Sequence, residues 1–141
     1  IGTSNQGLIR MKEGKVKYYK DLKEPYRNVV VSIQQDRQGH IWVATQYGLG
    51  KYLPDRDTFQ WYTANEGLSG SSIASIQFDE KNNAWISTLG AGLNYFDGNT
   101  FKHYGVRDGL QSNIILSSHY LLSQRTLFIG TEFGLAAMKD N

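Results

Sequence analysis

The chain has 141 residues, a net charge of +2, 15 glycines, two prolines and no cysteine. That length suits one domain, and the missing cysteines exclude disulfides and thiolate metal sites. The Lys and Arg residues are too scattered, and the net charge too small, for a nucleic acid or an anionic membrane surface as partner. No apolar run approaches the roughly 18 residues that a helix needs to cross a bilayer, and no leader sequence is visible.

In chain order, Ile1-Gly2-Thr3 comes before Gly7-Leu8, and Val43-Ala44-Thr45 before Gly48-Leu49. Ile86-Ser87-Thr88 then comes before Gly92-Leu93, and Ile129-Gly130-Thr131 before Gly134-Leu135. A repeat of about 43 residues, filled with short strand-like runs, marks a propeller or similar array. Within it, residues 1–19 read as the end of one unit. The basic stretch from Lys12 to Lys23 is interrupted by Glu13 and Asp21, with Glu24 just beyond, and reads as a solvated hairpin.

Residues 29–63 give the clearest unit. Strands a to d are predicted at 30–35, 40–45, 49–53 and 58–63, joined by Asp36-Arg37-Gln38-Gly39, Gln46-Tyr47 and Pro54-Asp55-Arg56-Asp57. This is a four-stranded antiparallel meander with short loops. Residues 72–104 repeat it, and 113–141 repeat it without strand d. Trp42 and Trp85 share one strand position and are expected to plug the space between neighbouring sheets.

The expected fold is therefore all-β: a single partial β-propeller of about three and a third blades, an incomplete ring. Closed propellers need four or more blades, and raw sheet edges are a liability. The chain thus reads as a piece of a larger propeller or as a protomer completed by a second copy, a homodimer. Its start at Ile, inside a repeat, favours the piece.

These phrases resemble the two-component regulator propeller repeat. One blade supplies Gly67-Leu68, Ile73, Ile76, Asp79, Trp85-Ile86-Ser87-Thr88, Gly92-Leu93 and Tyr95-Phe96. The preceding blade supplies Ile33, Asp36, Gly39, Ile41-Trp42, Thr45, Gly48-Leu49 and Tyr52. The resemblance implies a periplasmic propeller on a bacterial sensor histidine kinase, commonly a hybrid one that controls polysaccharide use. Three departures stand out: residues 20–28 replace the usual linker, the last blade lacks the Asp-x-x-Gly turn and its Trp, and Asn82-Asn83 replaces a Gly.

No catalytic constellation is present. His40, His103 and His119 lack metal-ligand spacing, and no cofactor motif is found. Glu66 and Asp108 recur at matching repeat positions, which favours turn capping over acid–base work. In an antiparallel meander the b–c and d–a loops emerge on one side, so that face gathers the candidate ligand-binding residues Gln46, Tyr47, Glu66, Asp108, Glu132 and Phe133. Aromatic and polar residues around a propeller mouth suit an oligosaccharide. The expected function is non-catalytic ligand sensing, with a protein-interaction scaffold as the alternative and a propeller lyase or glycosidase ranked last.

Overall fold

Short β-branched and aromatic runs, punctuated by glycine, become strands joined by tight turns. The computed structural model describes residues 1–21, 23 and 25–139. Leu22 and Glu24 of the 20–28 linker, and Asp140 and Asn141 of the 113–141 unit, lie outside the described residues.

A hairpin of β1 (Leu8–Lys12) and β2 (Lys15–Tyr19) opens the chain. The second sheet holds β3 (Val30–Gln35), β4 (Ile41–Thr45), β5 (Gly48–Leu53) and β6 (Thr58–Tyr62). The third holds β7 (Ile73–Phe78), β8 (Ala84–Thr88), β9 (Leu93–Phe96) and β10 (Phe101–Tyr104). The last holds β11 (Ile115–Leu121), β12 (Thr126–Thr131) and β13 (Gly134–Lys139). Each sheet is an antiparallel meander in chain order, and β3, β7 and β11 lie side by side. Each of these inner strands carries a bulge at the same register, Val30/Ser32, Ile73/Ser75 and Ile115/Ser117.

The recurring Thr…Gly-Leu phrase has a direct cause. The hydroxyls of Thr3, Thr45, Thr88 and Thr131 donate to the carbonyls of Gly7, Gly48, Gly92 and Gly134 at 2.7–3.0 Å, closing each b–c turn. The glycine then faces the end of the outermost strand. A Cβ at Gly7, Gly48 or Gly92 would lie 2.1, 2.6 or 2.3 Å from the carbonyl oxygen of Tyr19, Tyr62 or Tyr104. All three have positive φ, so glycine is required by conformation and by space.

Two seams bury the core. At the first, Trp42, Ala44 and Leu49 join Ile73, Ile76, Ala84, Ile86 and Phe96 of the next sheet, with the Trp42 ring 5.9 Å from Phe78 and 6.4 Å from Phe96. At the second, Trp85 and Leu93 join Ile115, Tyr120, Leu127 and Ile129. The tryptophans are the expected plugs. Leu68 and Leu110, one from each inter-blade linker, are buried in the same two seams.

The Asp-x-x-Gly turn anchors the first plug. Asp36 accepts hydrogen bonds from the Trp42 indole, the His40 ring and the backbone N–H groups of Gln38 and His40, all at 2.9 Å. In the next blade Asp79 accepts the Asn83 side chain instead, and the buried Trp85 indole has no partner among the described residues. The last blade has Phe128, with no N–H to satisfy, and a different turn at Leu122–Gln124. The last blade thus lacks both the acid and the indole.

Burial of Asp36 works against its ionisation, but the Trp42, His40 and Gln38 hydrogen bonds outweigh it and lower its pKa from 3.8 to about 2. A lowered folded-state pKa stabilises above the unfolded value, and that contribution fades as pH falls from 3.8 to about 2. It amounts to about 2 kcal/mol at neutral pH. Urea unfolding of Asp36→Asn is expected to show this deficit at pH 6 and to converge on the parent chain at pH 2. A constant difference across that range would contradict it.

Candidate functional site

The b–c turns and the d–a linkers do share one face. Gln46 N–H donates to the Val29 carbonyl, Leu89 N–H to that of Ser72, and Gly90 and Gly92 N–H to that of Asn113. Ser69 Oγ donates to the Ala91 carbonyl and Ser112 Oγ to Glu132 Oε1 at 2.7 Å. Each of these turns is thus hydrogen-bonded to a linker beside it along this rim.

The six predicted residues separate into three groups. Glu66 and Asp108 are spent on the linkers: Glu66 accepts from Thr63 N–H at 2.7 Å and from the Thr63 hydroxyl at 2.8 Å, and Asp108 accepts from Gly105 N–H at 2.8 Å. The Thr63 hydroxyl and backbone hold the Glu66 carboxyl below its usual range. Both are exposed caps rather than an acid–base pair. Gln46 is exposed and Tyr47 half-buried, its ring 5.3 Å from the Arg27 guanidinium. Glu132 and exposed Phe133 share the last turn. Among the described residues no hydrogen bond or ring contact joins the Tyr47 turn to the Glu132 turn, which belong to blades separated by a whole blade.

Two features were not anticipated. Arg27, from the linker that departs from the repeat, lies over Tyr47 and, at 4.8 Å, over Trp61, while its Nη1 pairs with Asp21 at 2.9 Å. On the opposite rim Asp57 accepts from Lys17, Tyr19, Tyr52 and Arg10, tying the opening hairpin to the second sheet. The Lys17 and tyrosine hydrogen bonds hold the Asp57 carboxyl well below its ordinary range, and burial with the Asp57 bond pushes the Tyr19 phenol up. No group of three His, Asp or Glu side chains among the described residues is close enough to hold a metal ion.

A family described as two component regulator propeller matches residues 24–47. The same phrases recur through the rest of the chain. Histidine kinase P4 of Formosa agariphila is 46% identical over 46 residues, which cover 33% of this chain and 3% of that protein. The extracellular domain described for hybrid two-component system BT3049 of B. thetaiotaomicron superposes with a TM-score of 0.77 at 23% identity, over 96% of this chain and 18% of that one. PorZ, a surface component of the type-IX secretion system of Porphyromonas gingivalis, gives 0.68 at 21%, over 79% and 17%. Virginiamycin B lyase of Staphylococcus aureus gives 0.63 at 14%, over 92% and 46%. At these identities the likeness establishes the β-propeller fold alone. The chain spans a small share of the kinase and of the first two solved relatives.

Proposed function

We propose that this regulator propeller segment belongs to the periplasmic sensing region of a bacterial two-component sensor, a hybrid histidine kinase. It senses a nutrient ligand, an oligosaccharide, and does no chemistry itself. The matched repeat and the short stretch of kinase identity support the parent. The observation that carries the sensing role is the rim: the repeat fixes Thr, Gly and Leu there, yet leaves Gln46, Tyr47, Glu132 and Phe133 to vary. Glu66 and Asp108 hold linker backbone, which counts against a lyase or glycosidase built on them.

The far face of the last sheet needs a partner. Leu135 stands at the register position of Leu49 and Leu93; those two are 0% exposed, whereas Leu135 is 67% exposed. The remaining blades of a longer chain, or a second copy, would cover it as each sheet here covers the next. The same patch, with Phe133 72% exposed, supports a second reading, a scaffold that docks proteins and binds no small molecule.

Titration of the chain with neutral oligosaccharides, followed by amide NMR, separates the two. Sensing predicts shifts centred on the turns of Tyr47 and Phe133 that vanish in Tyr47→Ala and Phe133→Ala. A response to no glycan, with concentration-dependent association abolished by Leu135→Glu in light scattering, would favour the scaffold.

A further inference from the structure

The three linkers 20–29, 63–72 and 105–114 have equal length, because Tyr19, Tyr62 and Tyr104 pair alike with Leu8, Leu49 and Leu93, and Val30, Ile73 and Ile115 pair alike with the threonines at 45, 88 and 131. Their chemistry is not equal. Where the later two place the capping acids Glu66 and Asp108, the first has Lys23; where they place Leu68 and Leu110, it has Pro25. Without its acid, the first linker has its short 3-10 turn at Pro25–Asn28, whereas the others turn at Ala64–Glu66 and Val106–Asp108.

A groove of about 530 Å³ lies here, between β2 and β6, with the linker along it. Among its described lining residues are four cations, Lys17, Lys20, Lys23 and Arg27, against two carboxylates. Both carboxylates are committed, Asp57 to Lys17, Arg10 and the tyrosines and Asp21 to Arg27. Lys20 and Lys23 have no ion-pair partner among the described residues; Lys20 reaches only the Gln6 amide, at 3.2 Å. Phe59 and Trp61, two residues apart on β6 and 5.8 Å between rings, give the groove an apolar wall. Arg27 is held in advance between Tyr47 and Trp61, and its Nε is buried without a hydrogen-bond partner among the described residues.

We infer that this groove binds an anionic sugar ring, one bearing a carboxylate or a sulfate. Lys20 and Lys23 take the charged group, with the Arg27 Nε as one further donor, and Phe59, beside the Arg27-covered Trp61, takes the apolar face of the ring. The groove adjoins the Tyr47 turn through Arg27, but the Phe133 turn lies two blades away, so neutral-glycan shifts at Phe133 test the first reading and anion-dependent shifts at Trp61 and the linker test this one.

The test is NMR titration of the chain with methyl β-glucuronide, methyl glucoside 6-sulfate, neutral methyl glucoside and inorganic sulfate, reading the Trp61 indole and the linker amides. One or both anionic glycosides are expected to bind at least about tenfold more tightly than the neutral glycoside and than sulfate; which one responds identifies the anion. The exposed pair Lys20→Glu and Lys23→Glu is expected to weaken that binding about tenfold with unchanged melting. No response to either anionic glycoside, equal affinity for the neutral glycoside or for sulfate, or indifference to the double charge reversal would overturn the assignment.

Discussion

Trp42→Ala is expected to lose about 3–5 kcal/mol of folding free energy, the range for removing a large buried aromatic side chain. The ring fills the first seam against Tyr62, Phe78 and Phe96, and neighbouring sheets cannot close the gap without parting from their own partners. Two milder variants separate ring from indole. Trp42→Phe keeps much of the packing but removes one donor from Asp36, at about 1–2 kcal/mol. Trp85→Phe removes an indole N–H that has no partner among the described residues, so it is expected to cost less than Trp42→Phe, or to stabilise. Urea unfolding followed by circular dichroism measures all three. Equal costs for the two Phe variants would show that the Asp36 bond does not anchor the plug.

The second large effect lies in the backbone. Gly48 and Gly134 have the same φ, 128°, so replacement by Ala imposes similar conformational strain at both. Their surroundings differ: the new Cβ at Gly48 meets the Tyr62 carbonyl at 2.6 Å, whereas at Gly134 the nearest atom is the end of the Gln111 side chain at 3.7 Å. A backbone carbonyl in a strand cannot step aside cheaply. Gly48→Ala is therefore expected to cost about 2 kcal/mol more than Gly134→Ala in the same unfolding experiment. Equal losses would mean that strain alone, not the approach of strand d, demands the glycine.

The repeat made the architecture legible because each phrase is bound to a local act. Thr closes a turn, Gly clears a carbonyl, Leu and Trp fill a seam, and these recur wherever the backbone recurs. The periodic acids were legible for the same reason, since Glu66 and Asp108 hold matching linkers. What could not be read was the use of side chains that break the pattern. Residues 20–28 were visible as a departure, but Arg27 lying over Tyr47 and Trp61, and Lys23 beside a groove rather than in free solvent, depend on where three separate segments meet. The basic stretch expected to be a solvated hairpin is solvated at Lys12 and Lys15, while Lys17 joins the Asp57 cluster and lines the groove. Local spacing carries no information about such convergence.

The central claim is that two tryptophan-plugged seams hold consecutive propeller blades together, with the opening hairpin outside them and the last strand touching only the second, through half-buried Ala136 and Met138. Amide hydrogen exchange of the chain tests this most directly. Slowest exchange is expected in β4, β7, β8, β11 and β12, which line the seams, and markedly faster exchange in β1, β2 and β13. In Trp42→Ala, protection should fall on both sides of the first seam and persist in β11 and β12. Uniform protection across all the sheets, or a hairpin as slow to exchange as β8, would contradict the account.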